Sequence, residues 1–146
     1  MFNESRIDIY NFLYDIFYDV VTKNVYMMAE PEELTESDTK NGFIVIRVGD
    51  LNDNSEFNGQ AYGWARCYVE AYIPKKSRGR LDVTKYEDFE SGINATIRSH
   101  ATNIVNETFY IQEGSVISMD YNETSNANNQ FLMFIKSFVL VIDKES

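Results

Sequence analysis

Residues 60 to 73 read QAYGWARCYVEAYI, and they divide into two unlike sets of side chains if the stretch is a β-strand. Side chains alternate between the two faces of a strand. One face is small or aliphatic: Ala61, Gly63, Ala65, Cys67, Val69, Ala71 and Ile73. The other is bulky and mixed: Tyr62, Trp64, Arg66, Tyr68, Glu70 and Tyr72. We predict that the small face lies under a helix and that the bulky face meets other copies or partners.

Two amphipathic helices are predicted on either side of this strand. In the first, Ser5 is the expected N-cap, and apolar residues recur at helical spacing from Ile9 to Val20. A T-x-x-E capping box at Thr84 and Glu87 opens the second. Its apolar face comprises Tyr86, Phe89, Ile93, Ile97 and Ala101, and we expect it to continue to Ile104 and Val105. Gly92 inside this helix indicates close backbone approach to a neighbour, for which the small strand face is the expected partner.

Three tyrosines follow one edge of the first helix. Tyr10, Tyr14 and Tyr18 are spaced four residues apart and widen its apolar arc beyond what one sheet requires. Either this is a broad core helix, or the tyrosine edge packs on a neighbouring subunit.

Four further stretches are β-rich: VYMM at 25–28, GFIVIRVGD at 42–50, SVISMDYN at 115–122 and QFLMFIKSFVLVID at 130–143. The predicted order is α-β-β-β-α-β-β in one α+β domain spanning 1–146, an antiparallel or mixed sheet with two helices packed on one face. The last strand is apolar on both sides, so both sides should be covered. The helices cover one side, and another chain is the expected cover for the other.

The composition favours a protein that acts through its surfaces. The chain has 146 residues with ten Tyr and ten Phe, and such rings suit both cores and interfaces. Its net charge of −10 disfavours a general nucleic-acid binder. The single cysteine, Cys67, is expected to be a buried structural thiol. We find no targeting segment and no long apolar run, so we expect a soluble protein made in a cytoplasm, without a membrane partner.

One basic feature interrupts this acidic chain. The run KKSRGR places Lys75, Lys76, Arg78 and Arg80 within six residues. It is either a solvated turn or a functional loop. As a functional loop it would dock an acidic surface of a neighbouring subunit or ring, or face DNA in a channel.

No motif for catalysis, metal or cofactor binding is found, and we predict that the protein is not an enzyme. His100 is the single histidine and has no partner in sequence that marks it as a base. Asp50, Asn52 and Asn54 have the spacing of a calcium loop, but Ser55 replaces the required glycine and no glutamate closes the loop. A solvated hairpin turn is expected there instead.

The order of these elements resembles the tail terminator and tail completion proteins of tailed bacteriophages. The residues that carry the resemblance are IYNFLYDIFYDVV, GFIVIRVGD, AYGWARCYVEAYIPKKSRGR, YEDFESGINATIRSH and QFLMFIKSFVLVID. In particular, a long strand that ends in a basic turn before a helix looks like the middle of those proteins. The high Asn, Ile and Tyr content fits an AT-rich phage genome, and a crAss-like phage of gut Bacteroidetes is the expected source.

The resemblance implies a structural virion protein, made in the host bacterial cytoplasm. It would form a six-fold or twelve-fold ring at the neck or tail end, next to other ring proteins, and genomic DNA would pass through without sequence-specific binding. It carries over no catalytic residue. The implied inter-subunit surface is Tyr62, Trp64, Arg66, Tyr68 and Tyr72. The acidic stretch from Glu30 to Asp38 and the basic run depart from the family's pattern, and we expect them to be docking elements specific for adjacent rings.

Two other functions remain open. One is a monomeric acidic adaptor or DNA-mimic protein that binds a basic host partner. The other is a small enzyme with an unrecognised site around His100, which would need a deep polar pocket with converging carboxylates.

Overall fold

The computed structural model describes residues 6–57, 60–101, 109–112, 114–121 and 130–143. These residues form three α-helices, α1 (Arg6–Phe17), α2 (Glu36–Asn41) and α3 (Val83–Ser99). They also form seven strands: β1 (Val25–Met27), β2 (Phe43–Val48), β3 (Asn52–Phe57), β4 (Gln60–Pro74), β5 (Phe109–Ile111), β6 (Ile117–Tyr121) and β7 (Phe131–Asp143). All seven strands belong to one mixed, open sheet, which confirms the α+β class.

Two long antiparallel strands form the centre of the sheet. β4 pairs with β7 along its length, from Tyr62 opposite Asp143 to Pro74 opposite Phe131. The outer edge of β4 is shared by β2 and β3, and the outer edge of β7 is shared by β6 and β5. β1 runs parallel to β2, which makes the sheet mixed. β4 and β7 therefore fix the position of every other described strand except β1.

The small face of β4 lies under α1 and α3, as predicted. Ala65, Cys67 and Ala71 are fully buried, in the same cluster as Leu13 of α1 and Ile93 of α3. Small side chains on the strand leave room for the large side chains of the helices, so the two layers pack closely. The main core of the protein is this contact between helices and sheet.

The opposite face of the sheet is covered at one end by the chain itself. Phe43, Tyr72 and Phe131 are buried there in a second cluster, against which Leu34 packs. Leu34 belongs to the connection before α2. The expectation that another chain must cover this face is therefore wrong at this end of the sheet.

Both long helices differ from the prediction at their ends. α1 ends at Phe17, Asp19 follows with φ 60°, and Val20 is 37% exposed, so the buried stripe is shorter than predicted. The N-cap of α3 is Asp82, whose carboxylate accepts from the Lys85 amide at 3.1 Å, and the predicted box at Thr84 lies inside the helix. α3 ends at Ser99, and residues 104 and 105 lie outside the described part of the chain.

Three short elements were not predicted. A capping box between Thr35 and Asp38 begins α2, where a polar connection was expected. β3 replaces most of the expected solvated turn, since residues 52–57 pair with β4 in spite of their polar side chains. β5 adds a strand before β6. The observed order is α-β-α-β-β-β-α-β-β-β.

The glycine inside α3 marks a close approach, as predicted, but its partner is different. A Cβ atom on Gly92 would lie 2.6 Å from Cγ1 of Val21 and 3.2 Å from Cγ1 of Val20. Gly92 therefore accommodates the segment that follows α1 and not the small face of β4.

Candidate interaction surface

The sheet face turned away from α1 and α3 has an end that neither core cluster includes. We call this end the open face. It consists of Trp64, Arg66 and Tyr68 of β4 with Ser137, Val139 and Val141 of β7. The strand register places these residues directly opposite one another, Trp64 with Val141, Arg66 with Val139 and Tyr68 with Ser137. Each bulky β4 residue is thus paired with a smaller β7 residue on the same side of the sheet.

The open face combines half-buried rings with buried aliphatic groups. Val139 and Val141 are each 7% exposed, whereas Trp64 and Tyr68 are half-buried. Among the described residues, none of these four side chains joins either core cluster. The patch thus has the aromatic character of a protein interface and lies beside the core instead of inside it.

A hydrogen bond fixes the arginine of this patch. Arg66 Nη1 donates to Ser137 Oγ at 2.8 Å across the β4–β7 ladder. Ile117 of β6 lies opposite Ser137 in register and is 51% exposed, so it extends the same face towards the sheet edge. Ordered polar contacts and exposed apolar area are combined here, which suits recognition of another protein surface.

A polar network separates the open face from the covered end. Arg47 Nε donates to Glu70 Oε2 at 2.9 Å, and Arg47 Nη1 donates to the Met28 carbonyl at 2.8 Å. The Tyr72 hydroxyl donates to Glu70 Oε1 at 3.2 Å. Burial, with the nearby Glu70 carboxylate, raises the pKa of Tyr72. The Glu70 hydrogen bond raises the pKa of Arg47. Burial and Glu70 therefore favour the neutral form of Tyr72, and Glu70 favours the charged form of Arg47.

The structure brings together three of the five predicted interface residues of β4. Trp64, Arg66 and Tyr68 lie on the open face. Tyr72 is only 2% exposed and stacks on Phe43 with ring centroids 4.4 Å apart, so its ring belongs to the second core cluster. The side chain of Tyr62 lies outside the described part of the structure.

The tyrosine edge of α1 lies on the helix side of the sheet, away from the open face. Tyr10 is half-buried, and its hydroxyl accepts from Arg6 Nε at 3.0 Å. Tyr14 packs against the main core, and its ring stacks with that of Tyr18 at a centroid distance of 5.4 Å. Tyr18 itself is 43% exposed. The two predicted aromatic surfaces are therefore separate, and most of the α1 edge belongs to the core.

The basic run forms a compact turn at the end of β4. In this basic turn, residues 75–80, the Lys76 amide donates to the Arg80 carbonyl at 2.7 Å, and the Lys75 amide donates to the Gln130 carbonyl at 2.9 Å. Arg78 and Gly79 both have positive φ, 64° and 72°. Lys75 is half-buried and the other three cations are exposed. The backbone of the turn is held in place while the charges face solvent.

Sequence reasoning missed several exposed apolar residues beside these features. Leu81 and Val83 directly follow the basic turn and are 43% and 54% exposed. The sequence could have indicated their exposure only through their position, because they precede the buried stripe of α3 and do not belong to it. The sequence placed Ile117 in a strand but did not indicate on which face of the sheet it would lie. That face depends on the register of β6 with β7, which is a property of the tertiary structure.

His100 and Cys67 both have structural contacts. His100 is the C-cap residue of α3; its ring meets Phe12 edge-on at 5.9 Å, and its Nδ1 lies 3.0 Å from the Thr96 carbonyl. Cys67 is buried, and burial raises the pKa of its thiol to about 12. In the described residues, no three His, Cys, Asp or Glu side chains are grouped closely enough to hold a metal ion. Neither α1 nor any other helix in the described ranges has the length and apolar character of a membrane span.

No protein-family model and no curated protein matches this sequence.

Proposed function

We propose that this protein is a structural virion component that assembles into a ring of identical copies, as a tail terminator or tail completion protein at the neck or tail of a bacteriophage. The observation that carries the proposal is the open face. Trp64, Arg66 and Tyr68 form a half-buried, aromatic and cationic patch whose apolar neighbours Val139 and Val141 belong to neither core cluster.

The chemistry of the open face favours contact with another protein. Trp, Tyr and Arg are the residues that most often dominate the binding free energy of interfaces. A contact between unlike surfaces of identical chains repeats around an axis and closes into a ring when the rotation permits. The open face of one copy would therefore pack on a different surface of the next copy.

The order of elements supports the phage role. The structure contains the features on which the resemblance rests: α1, a long β4 that ends in the basic turn, α3 across β4, and a long closing strand. The net charge of −10 suits a lumen through which DNA slides without being bound. Neighbouring ring proteins of the neck or tail are the partners that this role requires.

The test is the assembly state of the purified protein. Mass photometry and negative-stain electron microscopy should show a discrete ring for the wild type. Trp64→Ala should weaken self-association by at least about 30-fold, because truncation of a hot-spot aromatic costs about 2 kcal/mol or more. Asn11→Ala changes an exposed polar residue of α1, on the helix side, and should leave assembly intact.

Monomer stability separates an interface role of Trp64 from a core role. Urea unfolding of Trp64→Ala at concentrations where both proteins are monomeric should show a smaller effect than the loss of assembly. A wild type that stays monomeric at high concentration, and binds no neck or tail protein, would overturn the proposal. A variant that loses monomer stability but still forms rings would place Trp64 in the core.

A further inference from the structure

The basic turn lies beside α2 of the same chain, the helix that follows the acidic connection. Thr39 of α2 lines one surface depression of about 330 Å³ together with Lys75, Lys76 and Gly79. Glu36 is three residues earlier on α2, which is about 5 Å along the helix axis. Two exposed carboxylates, Glu32 and Glu33, precede it. We call Glu32, Glu33 and Glu36 the acidic segment.

These opposite charges form no ion pair with each other in the described part of the chain. The ion pairs of the described residues are Arg47 with Glu70 and Lys136 with Glu90. The four cations of the basic turn therefore have no carboxylate within 4.0 Å among the described residues. Glu32, Glu33 and Glu36 are all exposed, whereas Asp38 is buried and bonded to Tyr26 and Thr35. In these parts of the chain the turn therefore has exposed, unpaired positive charges, and α2 with the segment before it has exposed, unpaired negative charges.

The backbone of the basic turn is held in a fixed conformation. It is closed by the Lys76–Arg80 hydrogen bond and anchored to the start of β7 through Gln130. A preorganised loop loses less conformational entropy on binding than a flexible one. The turn is therefore suited to a specific contact.

The apolar neighbours of the turn favour a protein partner over DNA. Leu81 directly follows the turn and Val83 comes two residues later, and both expose a large part of their side chains. A phosphate backbone offers sugar and charge but little apolar surface to cover two aliphatic side chains. The net charge of −10 also opposes the approach of DNA.

We propose that the basic turn and the acidic segment form a self-complementary patch through which two copies of this chain join about a two-fold axis. The turn of each copy lies on the acidic segment of the other. A two-fold contact requires a self-complementary surface. Opposite charges on one surface meet this requirement, because the rotation places the positive part of one copy on the negative part of the other. This contact rests on the proposed self-assembly and adds a second interface, which pairs two rings face to face.

Charge exchange tests the proposal. Lys76→Glu with Arg78→Glu makes the whole patch acidic, and Glu32→Lys with Glu33→Lys makes it basic. Each double variant alone should lose the two-fold contact by about tenfold or more, and an equal mixture of the two should recover it. Mass photometry at ionic strengths of about 0.05 and 0.5 M should show the wild-type contact weakening with salt.

A matched control carries the same change of charge elsewhere. Arg98→Glu alters an exposed cation in the last turn of α3 and should leave the contact unchanged, whereas Arg78→Glu alone, with the same change of charge, should weaken it. Persistence of the contact in the Lys76/Arg78 variant, or failure of the mixture to recover it, would overturn the proposal. Loss of binding to a duplex oligonucleotide, with self-association unchanged, would assign the turn to phosphate contact instead.

The experiments distinguish failure of the two-fold patch from failure of the ring proposal. If Trp64→Ala abolishes rings while both charge variants assemble like the wild type, only the two-fold patch is rejected. If the wild type never self-associates, both proposals fail.

Discussion

Lys136 Nζ lies 3.2 Å from Glu90 Oε2, so a buried cation of β7 is tied to α3. The same ammonium donates to Ser118 Oγ of β6 at 2.7 Å, and it lies 5.7 Å from the centroid of the Phe134 ring. Lys136 is 5% exposed on the helix side of the sheet. One side chain thus links the central strand, an edge strand and the helix above them.

Replacing the acidic partner of Lys136 should destabilise the fold. Glu90→Ala leaves the buried ammonium with a single described acceptor, Ser118, and should cost about 1–2 kcal/mol in the free energy of unfolding, measured in urea. The effect is limited because the Glu90 side chain is 38% exposed and water can replace part of the contact.

The control for this pair is another glutamate of the same helix. Glu87→Ala changes an exposed residue and should have little effect. Adding Lys136→Met to Glu90→Ala should recover stability, because no buried charge then remains. Equal stabilities of Glu90→Ala and Glu87→Ala would contradict the assigned role of the ion pair.

A methyl group at position 92 should destabilise the contact between α3 and the segment that follows α1. Alanine is about 1 kcal/mol better than glycine inside a helix, but the new Cβ would lie 2.6 Å from Val21 Cγ1. We expect Gly92→Ala to lower the free energy of unfolding by about 1–3 kcal/mol, since overpacking outweighs the gain in helix propensity.

The partner of Gly92 can be tested in the same experiment. Val21→Ala removes the methyl group that the new Cβ would meet, so Gly92→Ala should be much less harmful in that background. Ser91→Ala is the control for a substitution at an exposed position of α3. A stabilising Gly92→Ala in the wild-type background would show that the two segments are not in close contact.

Alkaline pH should weaken the fold through Tyr26. Burial, followed by the hydrogen bond and charge of Asp38, raises the pKa of Tyr26 from 10.0 to about 12. Because the folded-state value is the higher one, this contribution to stability is fully present below pH 10.0 and is lost as the pH rises to about 12. Urea unfolding between these pH values should show a shallower decline for Tyr26→Phe, and equal slopes would contradict the prediction.

The thiol of Cys67 should be unreactive in the folded protein. It is buried under the helices, and burial raises its pKa to about 12, so the nucleophilic thiolate is scarce at neutral pH. Labelling with iodoacetamide should be slow in buffer and should accelerate in urea in parallel with unfolding. Rapid labelling of the native protein would show that the contact between β4 and the helices opens readily.

The local patterns of the sequence determined the main core. The bounds of β4 and β7 were predicted almost to their ends. A long alternating pattern or a continuous apolar run of this kind is compatible with few structures other than a strand. We predicted that the small face of β4 packs against the stripe of Phe89, Ile93 and Ile97, because small side chains on the strand leave space for bulky side chains on the helix. These features depend on side-chain size and spacing within single segments.

The weaker local signals were misjudged. Asn52–Phe57 has the composition of a turn, but pairing with β4 satisfies its backbone and makes it a strand. Asp82 and not Thr84 caps α3, since several nearby residues could each have served as the N-cap. Thr35 and Asp38 form a capping box, but the stretch that contains them was interpreted as a polar connection.

The candidate surfaces were predicted only in part. By itself the sequence determined that one face of β4 is bulky and that one turn is basic, because alternation and charge are local properties. Only the tertiary structure decided that Tyr72 is buried with Phe43 in the second cluster. It also decided that Trp64 and Tyr68 stay outside both clusters and that the basic turn lies beside α2. These outcomes depend on strand register and on which distant segment packs over which face, and the spacing of residues within one segment carries no information about either.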